Sequence, residues 1–369
     1  MASCIIQPQE ISIGIICPLP IEVAAMIQML DDRYSTQQFP PDPNLYRFGR
    51  ISEHNIVIAG LPDGLTGIAS ATTVAERLWV TFRSVKALLL VGIGGGVYTI
   101  KNDIRLGDVV VSCPDGKYGG VVQYDFGKSL SEGRFEHTSA LNSPSREVLS
   151  TIAAMKANHL VNGTRLPDYL IYLEASQSNP HLKYPGAEND LLFEANYDHA
   201  GGSDCTSCDK AREIKRKPRK ANGPVVHYGT IASANQLMRN SKKRDLYNED
   251  YDGRILCFEM EAAGLMNSTS CLVIRGISDY ADSHKREDHA WHGYAAAAAA
   301  AFAKEFINTI PSGGLKSMLT VAEAVANKGW STPLTLLYIH YFTEFCLNTL
   351  KYICIINSGL HTCSSYALF

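Results

Sequence analysis

The first ten residues, MASCIIQPQE, contain no lysine or arginine, so the basic start of a secretion signal is not expected there. The run that follows, ISIGIICPLP, is too short and too broken by glycine and proline to be the apolar segment of one. Neither sign of charge is in excess: 34 Lys+Arg stand against 37 Asp+Glu, a formal net charge of -3. No protein-wide basic field favours a nucleic acid, so no nucleic-acid partner is expected. The chain also lacks an internal repeat and a long low-complexity tract. One stretch, 333–356, is apolar enough to raise a membrane question, but His340, Glu344 and Lys351 interrupt it. A spanning helix needs about 20 consecutive apolar residues, so no membrane partner is expected.

What is present suits a folded α/β protein. The 369 residues are 46% hydrophobic and 19% charged, enough for a sizeable core. Of ten cysteines, Cys17, Cys113, Cys257 and Cys271 sit in apolar, strand-like runs and read as small buried hydrophobes. With the missing signal, they point to a reducing, cytoplasmic setting.

Strands and helices alternate. ISIGIICPL (11–19), HNIVIAGLP (54–62), ALLLVGIGGGV (87–97), LGDVVVS (106–112), VVHYGTIAS (225–233) and CLVIRGISD (271–279) read as strands. Helical spacing spans Ile21 to Leu30 and Gly67 to Thr81, a helix follows FEMEAAG, and HGYAAAAAAAFAKEFINTI is an alanine-rich helix. Strands this apolar predict a central sheet covered on both faces. The expected layout is a tail at 1–12, a domain at 13–310 with an insertion at about 160–222, and a C-terminal tail at 311–369 of unclear role.

Four stretches place unusual groups at strand ends, where α/β sheets gather ligands. Glu22 follows the first strand; it suits a base acting on water, and equally the first turn of a helix. Val91-Gly-Ile-Gly-Gly-Gly96 suits close backbone approach to a ligand, or a tight turn. It matches no dinucleotide pattern, and no Lys-Ser/Thr follows as in a P-loop. Cys257-Phe-Glu-Met-Glu-Ala-Ala-Gly264 sets two glutamates around a methionine, fit to hold a vicinal diol over an apolar floor or to start a helix over a core methionine. Val273-Ile-Arg275-Gly-Ile-Ser278-Asp279 delivers an arginine, a serine and an aspartate, fit for a general acid or for a helix cap with an ion pair.

In this order the motifs resemble the purine nucleoside phosphorylase and uridine phosphorylase superfamily, from about residue 13 to 310. FEMEAAG followed by IRGISD is the specific pairing, with GIGGGV and LGDVVVS before it. The likeness is greatest to methylthioadenosine/adenosylhomocysteine nucleosidases and to fungal phosphorylase-like domains associated with NLR proteins. GGVVQYDFGK (119–128), HYGTIAS (227–233) and SDYADSHK (278–285) look most like the fungal group. No Walker-type loop appears after residue 310.

The resemblance implies a three-layer α/β/α sandwich around a twisted mixed sheet, and an N-glycosidase acting on a purine nucleoside or nucleotide. It assigns Asp279 as the acid on N7 of the base, Glu22 as the activator of water, and Arg275 as the group orienting the nucleophile side. Glu261 would hold the ribose hydroxyls and Met260 would pack under the sugar. Phe258, Gln236, Met238, Ser278, Gly94 and Gly95 would complete the substrate site. Where the nucleosidases carry a Phe and an Asp in the base pocket, this chain has Leu237 and Asn235, which leaves the base preference open. Leu90 and Ile93 stand where bacterial phosphorylases keep phosphate-binding residues, so water is the expected nucleophile; a phosphate-dependent phosphorylase and a non-catalytic nucleoside sensor are the alternatives. Homo-oligomers are expected, and no cofactor.

Two features fall outside the resemblance. Arg212, Lys215, Arg216, Lys217 and Arg219 form a basic patch that would suit substrate phosphates or simply face solvent. Cys205-Thr-Ser-Cys208 with His199 nearby has the spacing of half a zinc site, with His181 or Cys113 as possible completions. No metal is assigned from the sequence.

Overall fold

The apolar runs line up side by side. A computed structural model describes residues 6–327 apart from 132–134, 139, 176–179, 220–222, 285–289, 312 and 316–317. In chain order the elements are β1 (Ile13–Cys17), α1 (Pro20–Gln28), β2 (Asp32–Arg33), β3 (Tyr46–Ile51), β4 (His54–Gly60), α2 (Ile68–Thr81), β5 (Ala87–Gly96), β6 (Val109–Ser112), β7 (Val121–Gln123), β8 (Gly127–Ser129), β9 (Phe135–His137), α3 (Arg146–Asn162), α4 (Leu166–Ala175), β10 (Val226–Ser233), α5 (Ser241–Asp250), β11 (Ile255–Glu259), α6 (Ala262–Ser268), β12 (Leu272–Asp279), α7 (Ala290–Thr309) and α8 (Val321–Asn327).

A ten-stranded mixed sheet runs β11-β10-β6-β12-β5-β1-β4-β3-β2, with β7 on β10. β1, β4, β5 and β12 are parallel to their neighbours in that group, whereas β6 pairs antiparallel with β12. β11 also pairs antiparallel with β5, Phe258 opposite Gly95, so β5, β12, β6, β10 and β11 close into a ring. Helices lie in two layers. α7 packs on β12, β5 and β6 with α1, α3 and α4 against it, and α2 packs on β1 and β4 with α6 against it.

The alanine run of α7 has a packing reason beyond helix propensity. Ala295 and Ala297 to Ala301 are fully buried, and their small side chains let the helix backbone touch the sheet. A Cβ added at Gly276 in β12 would overlap the Ala295 carbonyl. Gly276→Ala is therefore expected to cost at least about 1–3 kcal/mol, read as a lower urea midpoint at unchanged slope.

Two boundaries differ from those read in the sequence. The glycines at 92 and 94–96 are the last residues of β5, within the strand read at 87–97, and do not form a tight turn. Within the stretch read as an irregular insertion, α4 is a regular helix whose buried Leu166, Leu170 and Leu173 keep helical spacing. The first compact unit extends to Ala322, past the expected end at 310, because Leu315 and Val321 are buried and Val321 N–H donates to the Val85 carbonyl at 2.8 Å. The second unit, Glu323–Phe369, is described only as far as Asn327, so the apolar run 333–356 lies outside the described residues. Among the described residues no helix is long and apolar enough to cross a membrane.

Candidate active site

The ring of strands brings distant carboxylates to one place. Residue 275 lies opposite Gly92 and residue 279 opposite Gly95 in the β12–β5 register, while β11 carries Glu259 to the same rim. A cavity of about 560 Å³ opens there. Glu22, Glu261, Asp279 and Arg275 line it, as do Met260, Phe258, Gln236, Met238, Ser278, Gly94 and Gly95. The eleven residues that the resemblance assigns to catalysis or substrate binding thus line one space.

Glu22 is 2% exposed. Its Oε2 accepts from Leu19 N–H at 2.6 Å and its Oε1 from Ile93 N–H at 2.7 Å. Burial pushes its pKa up to about 7, with the Arg275 guanidinium opposing the shift. Arg275, 1% exposed, pairs through Nη2 with Glu259 and, at 3.2 Å, with Glu261 Oε2. Glu259 also accepts from the Glu261 and Ala262 backbone N–H groups at 3.0–3.1 Å, which fixes the start of α6. Glu261 Oε1 accepts from Gly67 N–H at 3.2 Å, and burial raises its pKa against the pull of Arg275. Carboxylates at 22, 259 and 261 therefore surround one buried guanidinium, and burial, only partly offset by Arg275, keeps Glu22 reluctant to ionise.

Asp279 Oδ1 accepts from Ala281 N–H at 2.8 Å. Ser278 Oγ is 2.9 Å from Asp279 Oδ2 and 3.5 Å from the Gly94 carbonyl, so its hydrogen can turn from one acceptor to the other. The glycine run is needed because these groups pack on it. A Cβ at Gly92 would overlap Glu22 Oε1 and Arg275 Nη1, and one at Gly95 would come 2.7 Å from Asp279 Oδ1.

The apolar end of the cavity is set by Phe258 and Met238, each 4% exposed, with Tyr124 edge-on to Phe258 at 5.2 Å between ring centroids. Tyr124 OH donates to the Gln236 carbonyl at 3.0 Å and holds that loop. Leu237 lines the cavity, but Asn235 does not; its Oδ1 accepts from Ile68 N–H at 2.9 Å and ties the loop to α2.

Several contributors have no role assigned from the sequence. Glu259 was one of the two glutamates noted, and its signal was the two-residue spacing to Glu261 across a strand end, which turns both carboxylates to one side. Ser203 from the insertion, Asp282 and His284 after β12, and Trp291 and His292 from α7 also line the cavity; SDYADSHK contains Asp282 and His284 but gave them no role, and no motif marked the other three. The basic patch does not line it. Arg212 pairs with Glu194, Lys215 with Glu213, Arg216 with Asp190, and Arg219 with Asp108. Asp108 is 1% exposed, so that last pair neutralises a buried charge instead of offering a cation to a ligand.

The phosphorylase superfamily model matches residues 12–309. The chain belongs to the phosphorylase superfamily. An NLR-like protein of Hyaloscypha variabilis is 39% identical over 313 residues, 84% of this chain and 30% of that protein. An ATP nucleosidase, Cap17, of Escherichia coli is 25% identical over 246 residues, 65% of this chain and 39% of its own. The chain thus spans well under half the length of these curated relatives. The fold is shared with the futalosine hydrolase of Helicobacter pylori (TM-score 0.52, 15% identity, 82% of this chain and 99% of that one). It is shared equally with a methylthioadenosine/adenosylhomocysteine nucleosidase of S. pneumoniae (TM-score 0.51, 18% identity, 82% and 100%).

Proposed function

We propose that this superfamily member is a purine nucleosidase that hydrolyses the N-glycosidic bond of a nucleoside or nucleotide. The observation that carries the reading is the convergence of Glu22, Glu261 and Asp279 on one cavity from three separate parts of the chain. Asp279 gives its proton to N7 of the departing purine, so the base leaves as a neutral heterocycle while the sugar becomes an oxocarbenium ion. The Glu261 carboxylate holds the ribose hydroxyls and faces the cation, with Met260 beneath the sugar. Glu22 takes a proton from water, whose oxygen bonds to the anomeric carbon.

Water is favoured over phosphate because the nucleophile side is acidic. Leu90 is buried in β5, Ile93 offers its N–H to Glu22, and Arg275 is already shared among carboxylates. In heavy-oxygen water without phosphate, the label is expected in the released sugar; a sugar phosphate formed only when phosphate is supplied would overturn the choice of nucleophile. A nucleotide substrate is favoured by the exposed Arg239 at the cavity and by the ATP nucleosidase among the relatives. Arg239→Ala should then raise KM for ATP and leave that for adenosine unchanged; equal effects on both would remove the phosphate contact. We extend the reading to a homo-oligomer, given the exposed Phe126, Leu130 and Phe135 at the β8–β9 hairpin; light scattering gives its size.

The pKa of Glu22 sets the pH profile. The base must be ionised to act, and its pKa is about 7. kcat/KM is expected to fall roughly tenfold per unit as pH drops below that value. A profile flat down to about pH 5 would exclude Glu22 as the base.

A further inference from the structure

The insertion brings together three side chains that the reaction does not use. His199, Cys205 and Cys208 each place one ligand atom within 4.8 Å of the others. The chain bends back through Gly201 and Gly202, both at positive φ (102° and 90°), and Cys208 N–H closes a tight turn onto the Cys205 carbonyl at 3.1 Å. Both cysteines are buried, 8% and 5% exposed, in a small cluster with Phe193, Leu191 and Tyr197. His199 Nε2 lies 3.5 Å from the Gly202 carbonyl, which can only accept. The ring proton therefore belongs on Nε2, and the Nδ1 lone pair faces the sulfurs. Nδ1 is 3.3 Å from Cys208 Sγ and 3.9 Å from Cys205 Sγ. Tetrahedral zinc, with Zn–S near 2.3 Å and Zn–N near 2.1 Å, sets sulfur and nitrogen ligands about 3.6 Å apart. The two observed distances bracket that value.

The ligands suggested by sequence to complete the set are not there. Cys113 is at the end of β6, its N–H on the Gly229 carbonyl, and His181 sits in the turn Pro180–Leu182 beside Gly293 of α7. His284 is the nearer imidazole: its ring centroid is 5.8 Å from that of His199. Two imidazoles on one tetrahedral zinc have centroids about 5 Å apart. Phe193 stacks on the His284 ring at 4.2 Å and 11°, and Asp282 Oδ2 lies 3.4 Å from His284 Nδ1, the carboxylate–histidine pairing that orients zinc ligands.

We propose that His199, Cys205 and Cys208 hold a structural zinc ion, with His284, whose nitrogens lie outside the 4.8 Å cluster of the other three ligand atoms, swinging in to complete the set. It staples the insertion to the segment that follows β12. His199 N–H already donates to Ser283 Oγ at 3.0 Å on that segment. Ser203, Asp282 and His284 line the cavity, so the metal would fix that part of its wall and take no part in bond cleavage. The site is closed by protein ligands, as structural zinc sites are.

The test uses the whole chain purified without a histidine tag. Elemental analysis is expected to give one zinc per chain, and Co²⁺ exchanged into chelator-treated protein is expected to show thiolate-to-cobalt charge transfer with tetrahedral d–d bands. Cys208→Ser should lose the zinc and lower Tm, while Cys113→Ser keeps it. Chelator should lower the Tm of the wild type to that of Cys208→Ser, which keeps the result readable if that variant folds poorly. Protein that folds without zinc and takes up neither Zn²⁺ nor Co²⁺ on titration under reducing conditions would overturn the proposal, as would a Cys205–Cys208 disulfide in the native protein. Zinc retained by His284→Ala with unchanged cobalt spectrum would remove His284 from the set.

Discussion

Asp279→Asn and Glu22→Gln are each expected to lower kcat by about 10²–10⁴-fold with little change in fold. The two lose different things. Asparagine at 279 keeps an oxygen for the Ala281 N–H but cannot hand over a proton, so turnover should fall most for substrates whose base is a poor leaving group. A purine already activated for departure would be cleaved nearly normally by Asp279→Asn. Glutamine at 22 leaves departure intact but removes the acceptor for the proton of water, so a strong external nucleophile such as azide should restore part of the rate in Glu22→Gln and none in Asp279→Asn. If both variants kept wild-type turnover, the acid–base assignment would be wrong.

Arg275→Met should have the largest effect on stability. The side chain is fully buried and is the cation shared by Glu259, Glu261 and Glu22. Removing one partner of a buried ion pair leaves the other charge uncompensated, which costs about 3–5 kcal/mol. The loss should be smaller at low pH, where the carboxylates take up protons, and the pKa of Glu22 should rise further once the guanidinium that opposes its shift is gone. Adding Glu259→Gln to Arg275→Met should recover part of the stability without recovering activity. An unchanged urea midpoint for Arg275→Met would show that the carboxylates are compensated elsewhere.

Much of the fold is legible because its central strands are buried on both sides. β1, β5 and β12 are continuous apolar runs, and no other reading of LLLVG or LVIRG at that length competes. β3 was missed although Tyr46 and Phe48 point inward and Arg47 outward; six residues of alternation are easily lost between polar loops. β11 was missed because FEME reads as a helix start, whereas its parallel pairing with β10 and its antiparallel pairing with β5 put Phe258 and Glu259 in the sheet. That ring closure is a long-range event, invisible to any local pattern.

The candidate site was legible for a different reason. FEMEAAG paired with IRGISD carried the resemblance that assigned Glu261 and Asp279, and Glu22 stood just after the first apolar strand. The glycines were read as suited to close approach of a ligand or to a tight turn, and in the fold they make room for side chains: Gly92 for Glu22 and Arg275, Gly95 for Asp279. The basic patch illustrates the opposite error. A run of cations looks like a phosphate site until Asp108, Asp190, Glu194 and Glu213, spread over more than a hundred residues of chain, are seen to have claimed it. The walls contributed by Ser203, Trp291 and His292 carry no local signature, since only the packing of the insertion and α7 brings them to the cavity.

The most direct test of the hydrolytic reading is chromatography of adenosine, inosine, guanosine, methylthioadenosine and ATP after incubation with the protein, with and without phosphate. Free purine released from at least one of them at the same rate in both buffers, and lost in Asp279→Asn, is the expected result. Release that requires phosphate, or no release from any of them by folded protein, would contradict it.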